Sequence, residues 1–266
     1  MSGVGTVLAN TKAQGRAALV GYLPVGFPDV QGSIDAMVAM VEAGVDIVEV
    51  GMPYTDPLMD GPVIQHAADA ALKGGTRFTD LFTAVRAVVD AGAPALVMSY
   101  WNPVLRYGVD RFAHDLAQAG GAGLITPDLI PDEGAEWIAA AERNDLSCVF
   151  LVAPSSTPQR LRSTALACRG FVYAASTMGV TGARTTVGDT AEALVTRTRV
   201  MTDLPICVGL GVSTGAQAAK VGAFADGVIV GSALVRCLTD VASRADGLSA
   251  IRTLVAELAA GVRAGR

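Results

Sequence analysis

Apolar residues along this chain come in short blocks, separated by longer stretches in which apolar and polar positions recur with the period of a helix. Blocks at 18–23, 46–51, 95–100, 123–126, 147–153, 170–175, 205–209 and 227–230 read as strands, eight in all. Most are near-continuous apolar runs, the pattern of parallel strands covered on the outside by helices. Helical stretches lie between them, for example 33–43, 78–91, 109–119 and 190–201. Asp35, Asp110 and Ser213 stand near helix starts, and Gly44 and Gly92 follow helix ends. Eight such units in 266 residues fit a (β/α)8 barrel, the TIM-barrel arrangement. A doubly wound sheet is the competing α/β arrangement. The turn after the first strand, Gly21-Tyr22-Leu23-Pro24-Val25-Gly26, lacks the GxGxxG that such a sheet more often shows there.

The ends of the chain add two helices. Residues 6–14 are expected to form a short helix closing the barrel floor. In the tail, Leu248, Ile251, Val255, Leu258 and Val262 make a helical stripe that suits a last helix packed on the barrel. No stretch rich in Pro, Ser or charge interrupts the pattern, so residues 1–266 are read as a single domain.

Composition narrows the function classes. Hydrophobic residues make up 51% of the chain, enough for a sizeable core. No apolar run reaches the roughly 18 residues of a membrane span, and Met1-Ser2-Gly3-Val4-Gly5 lacks the basic head of a signal peptide. The net charge is −5 with no basic stripe, which argues against nucleic acid and suits a mildly acidic cytoplasmic protein. Cys148, Cys168, Cys207 and Cys237 are far apart and form no CxxC, so buried free thiols are expected. His66 and His114 lie in separate helix-like segments without a ligand pattern, and no metal is expected.

Two carboxylates carry the candidate chemistry. Glu49 interrupts the apolar run 45–51, where a charge is costly unless it is used or paired. Ile47, Glu49 and Gly51 share one face of the strand, which directs the carboxylate into the barrel mouth, where barrels of this kind carry function. Asp60 follows in the next loop. Two carboxylates in different environments can divide acid and base roles. The competing readings are that Glu49 pairs with a buried arginine and that Asp60 caps the helix starting near Pro62.

Strand seven ends in Gly209-Leu210-Gly211-Val212-Ser213, and strand eight in Val230-Gly231-Ser232-Ala233 before a short apolar helix. Barrels often bind phosphate with these two loops through backbone N–H groups. Residues 177–186 after strand six are rich in Gly and Thr and suit a mobile lid, or else a surface loop without a role. Lys12, Lys73 and Lys220 are the only lysines and none lies in a predicted strand, so a Schiff base is disfavoured and carboxylate acid–base work remains.

These motifs resemble a known family. The segment from Val48 to Gln65, with Tyr100-Trp101-Asn102-Pro103, Gly179-Val180-Thr181-Gly182-Ala183 and the paired glycine loops, is similar to the tryptophan synthase alpha chain, and the similarity runs nearly end to end. The resemblance implies a cofactor-free (β/α)8 lyase with extra loops after strands two and six. Such a lyase splits indole-3-glycerol phosphate into indole and glyceraldehyde 3-phosphate and passes indole to a beta chain in an alpha-beta-beta-alpha heterotetramer. It implies Glu49 as proton donor to indole C3 and acceptor of the side-chain hydroxyl proton, and Asp60 as acceptor for the indole N–H. It implies an indole pocket at or near Tyr22, Met98, Tyr100, Pro127, Tyr173, Ile206 and Leu210, with Tyr173 near Glu49. Phosphate would be held by Gly182, Gly211, Gly231 and Ser232. Thr181 and Arg184 would belong to the lid, and Asp56 would face a basic residue of the beta chain. The chain departs from the family pattern at Gly120-Gly121-Ala122-Gly123, where many members have Gly-Val-Asp-Gly, and at Ile130, where many have Pro. Alternatives are a free-standing indole-releasing lyase, a catalytically inactive regulatory subunit, and another phosphate-binding barrel such as a sugar-phosphate isomerase. Glu49 and Asp60 together argue against the inactive subunit, the long loop 56–61 argues against the isomerase, and activity of the isolated chain separates the free-standing lyase.

Overall fold

The apolar blocks pair side by side as parallel strands: β1 (Ala18–Pro24), β2 (Ile47–Gly51), β3 (Ala95–Met98), β4 (Gly123–Thr126), β5 (Ser147–Val152), β6 (Val172–Ala175), β7 (Ile206–Gly209) and β8 (Gly227–Val230). Each strand bonds the next, and β8 returns to β1, closing the barrel. The structure is a computed structural model that describes residues 3–175, 187–209, 211–239 and 241–265.

Alternation along each strand sorts the side chains into two cores. Val20, Ile47, Leu96, Ile125, Val149, Cys207 and Ile229 point inward and fill the tube, together with Phe171 just before β6. Val48, Val50, Val97, Leu124, Phe150, Val172 and Val208 point outward beneath the helices. Full burial of each large apolar side chain contributes roughly 1.5–3 kcal/mol. A slip of one residue would exchange the two faces, so the register is strongly fixed. The expected floor helix is Gly3–Ala13, starting before residue 6, and its Val4 and Leu8 join the inner core.

The tail forms the helix Arg244–Ala264, whose Ile251, Val255, Leu258 and Val262 are buried against the helices Val30–Ala43 and Gly215–Gly222. Among the described residues no helix is long and apolar enough to cross a membrane. All four cysteines are free thiols, three of them buried.

Boundaries differ from the sequence reading where side chains intervene. Asp46 lies outside β2, because its carboxylate accepts the Leu19 N–H at 2.8 Å and pairs with Arg16 at 2.7 Å. The third strand stops at Met98, since Tyr100 is already the N-cap of the helix Trp101–Tyr107. Asp29, rather than Asp35, caps the helix Val30–Ala43 by accepting the Gly32 N–H at 2.7 Å. Thr214, rather than Ser213, caps the helix Gly215–Gly222.

Candidate active site

β2 places Glu49 among inward-facing side chains, level with Tyr22 of β1 and Leu96 of β3. Glu49 is fully buried, and neither carboxylate oxygen has a hydrogen-bond partner among the described residues. The buried-arginine reading is therefore not met. Burial disfavours the charged form and pushes the Glu49 pKa up from 4.5 to about 8. At neutral pH this carboxyl keeps its proton.

Asp60 sits at the end of the loop that follows β2. Its Oδ1 accepts the Tyr100 hydroxyl at 3.0 Å. The same phenol oxygen accepts the N–H groups of Leu58 and Met59 at 3.1 and 3.0 Å. Gln65 Nε2 donates to the Asp60 carbonyl at 2.7 Å. Burial raises the Asp60 pKa, and the Tyr100 hydrogen bond opposes that rise. Burial likewise pushes Tyr100 up to about 12, so it remains a donor. The helix-cap reading of Asp60 fails, because Gly61 occupies the N-cap of Pro62–Lys73 and no side chain bonds there.

Two further tyrosines line the mouth. Tyr22 and Tyr173 face inward from β1 and β6, each over a strand position that lacks a side chain. A Cβ at Gly51 would collide with the Tyr22 phenol, and one at Gly209 with the Tyr173 phenol. Burial and then the field of Glu49 raise the Tyr173 pKa. Met98 also packs against the inner core at the end of β3, and Pro127 lies partly exposed just past the end of β4. Ile206 does not line the mouth. Alternation turns it outward into the helix-facing core, and Cys207 takes the inward position. Leu210 lies outside the described residues.

The glycine loops sit at adjacent strand ends. Gly211 has φ +66°, a left-handed conformation that favours glycine, and a Cβ there would meet nothing within 4 Å. Gly231 is the N-cap of the short helix Ser232–Arg236, which starts with Ser232. Gly182, Thr181 and Arg184 lie outside the described residues. Asp56 is exposed on the loop after β2, but it is not without a local partner, since the Thr55 hydroxyl donates to its Oδ2. Beside it Leu58 is 74% and Met59 38% exposed.

Sequence reasoning did not single out the supports behind Tyr100. The Tyr54 ring packs on Tyr100 with centroids 5.3 Å apart, and Asn102 Nδ2 donates to the Tyr54 hydroxyl at 3.1 Å. Asp128 accepts the Trp101 N–H at 2.9 Å. The run Tyr100-Trp101-Asn102-Pro103 contained the signal, since a polar residue amid aromatics after a strand marks a hydrogen-bonded strand end.

Known proteins share this architecture along its length. Residues 8–263 match the family model described as tryptophan synthase alpha chain. The tryptophan synthase alpha chain of Mycobacterium intracellulare is 61% identical over 262 residues, covering 98% of this chain and 95% of the relative. A solved tryptophan synthase structure from Mycobacterium tuberculosis superposes with TM-score 0.92 at 59% identity, covering 98% of each chain. The tryptophan synthase subunit alpha of Legionella pneumophila, at 29% identity, still gives TM-score 0.89 with 98% of each chain covered. With the family model spanning nearly the whole barrel and relatives this similar, the chain belongs to the tryptophan synthase alpha chain family.

Proposed function

We propose that Glu49 and Asp60 together cleave indole-3-glycerol phosphate. The chain is a carbon–carbon lyase of tryptophan biosynthesis, and its reaction yields indole and glyceraldehyde 3-phosphate. The observation that carries the assignment of roles is the fully buried Glu49 carboxyl inside the mouth, without a hydrogen-bond partner among the described residues, with a second carboxylate held by a phenol in the loop that follows.

The steps follow from these two environments. Neutral Glu49 donates its proton to indole C3, which places positive charge on the ring nitrogen. The Asp60 carboxylate accepts the ring N–H and stabilises that charge. The Glu49 carboxylate then takes the proton of the side-chain hydroxyl next to the ring. The bond between C3 and the side chain breaks, its electron pair restores the indole ring, and the aldehyde leaves. Glu49 ends with its proton regained, so the cycle balances without an external acid, base or cofactor.

The remaining assignments rest on the resemblance and on position. Tyr22, Met98, Tyr100, Pro127, Tyr173 and Leu210 enclose the indole ring. Gly211, Gly231 and Ser232 hold the phosphate, and the parts that the resemblance gives to Gly182, Thr181 and Arg184 fall outside the described residues. Asp56, among exposed apolar neighbours on the loop after β2, meets a beta chain in a cytoplasmic alpha-beta-beta-alpha heterotetramer. The test is indole release by the purified chain with and without a beta chain. Release that the beta chain strongly stimulates supports the reading. Equal release in both cases means a free-standing lyase, and none in either means a regulatory subunit.

A further inference from the structure

Tyr22 carries a hydroxyl that these roles leave unused. Its Cα is the register partner of Glu49 across β1 and β2, so both side chains enter the barrel at one level. A Cβ at Gly51, the next inward position of β2, would collide with the phenol tip. The hydroxyl therefore lies over Gly51, on the mouth side of Glu49. At the other end of the ring, a Cβ at Gly231 would press on Tyr22 Cδ1 at 3.2 Å. The ring thus lies in a slot between two glycines, Gly51 at the end of β2 and Gly231 just past β8, running from the loop after β8 to the carboxylates.

The hydroxyl makes no hydrogen bond among the described residues. The titratable groups that face it are Asp60 from the loop after β2, Glu49 of β2, Tyr100 after β3 and Tyr173 of β6. Burial first, then the charges of Asp60 and Glu49, raise its pKa, so it stays protonated and able to donate.

This placement matches one stretch of the substrate. A phosphate at Gly231 and a ring carbon at Glu49 are joined, in indole-3-glycerol phosphate, by a hydroxylated three-carbon chain. We propose that the Tyr22 hydroxyl hydrogen-bonds a hydroxyl of that chain and so selects for a hydroxylated over a deoxygenated side chain. The proposal rests on the assignment of Glu49, Asp60 and the β8 loop given above.

The test uses Tyr22→Phe, which keeps the ring and its packing on Gly51 and Gly231. The probes are indole-3-glycerol phosphate as substrate and indole-3-propanol phosphate as inhibitor. The inhibitor keeps the ring, the chain length and the phosphate and lacks the hydroxyls. The expected result is a fall of about tenfold in kcat/KM for the substrate, with the inhibition constant of the analogue within about twofold of wild type. Equal losses for both ligands would show that only ring packing matters and would overturn the proposal, as would no loss for either. A wild-type protein that neither cleaves the substrate nor binds the analogue overturns the underlying assignment, and the proposal with it.

Discussion

Tyr100 holds Asp60 by its side chain and the preceding loop by its backbone: one phenol oxygen donates to Asp60 Oδ1 at 3.0 Å and accepts the N–H groups of Leu58 and Met59. Tyr100→Phe removes all three bonds while keeping the ring stacked on Tyr54. The Asp60 pKa, already raised by burial, rises further once its donor is gone. With Asp60 acting as the anion in the proposed mechanism, the acidic limb of the kcat/KM profile is expected to move to higher pH. A profile that keeps its acidic limb in place would separate Tyr100 from the charge state of Asp60.

The basic limb belongs to Glu49. Its proton is lost as pH rises through about 8, and turnover should fall there. Glu49→Gln cannot ionise, and turnover is expected to drop roughly a thousandfold or more with ligand still bound. Indole release close to wild type by this variant would remove Glu49 from the mechanism.

The same residue makes a stability prediction. The Glu49 pKa is about 8 in the folded chain and about 4.5 in the unfolded one, so folding takes up a proton between these values. Its burial cost is absent below about 4.5, grows with pH and is complete above about 8. The melting temperature of Glu49→Gln relative to wild type should therefore climb across that window and level off beyond it. A pH-independent difference would mean that the carboxyl has an ordinary affinity for its proton.

The glycine loops differ in what a side chain would meet. Gly211→Val strains a left-handed residue but finds open space, whereas Gly231→Val presses on Tyr22. Both are expected to weaken glycerol phosphate-type ligands by roughly tenfold or more, by blocking the approach to backbone N–H groups. Only Gly231→Val should also lower kcat, because it displaces the Tyr22 ring. Unchanged affinity in both variants, read by calorimetry, would put the phosphate elsewhere.

Asp56 reports on the partner. Asp56→Ala gives up only the hydrogen bond from Thr55, at an exposed position. Basal indole release should stay nearly intact while stimulation by a beta chain falls. Full stimulation of this variant would move the coupling surface away from the loop.

The barrel was legible because its logic is local: eight apolar blocks with helical stretches between them, and alternation that sends Glu49 inward. The partners of the site residues were not. Whether Glu49 met an arginine depended on every strand around the tube, and among the described residues none bonds it. Tyr100 could be picked out, but its bonds span 40 residues or more of chain to Asp60, Met59 and Leu58. The resemblance puts Ile206 at or near the pocket, and a run apolar at every position offers no phase to check it; the register with β6 shows that Cys207 is the inward residue. Asp35 looked like a helix start because several polar residues stood nearby, and the bond from Gly32 to Asp29 decides among them.

The helix Gly3–Ala13 stoppers one end of the tube with Val4 and Leu8. Among the described residues that end of the tube is filled with side chains, so the opposite rim, where Glu49 and Tyr22 stand, is the side left to the chemistry. In the proposed assembly, a partner seated over that rim would meet a small apolar product before water does.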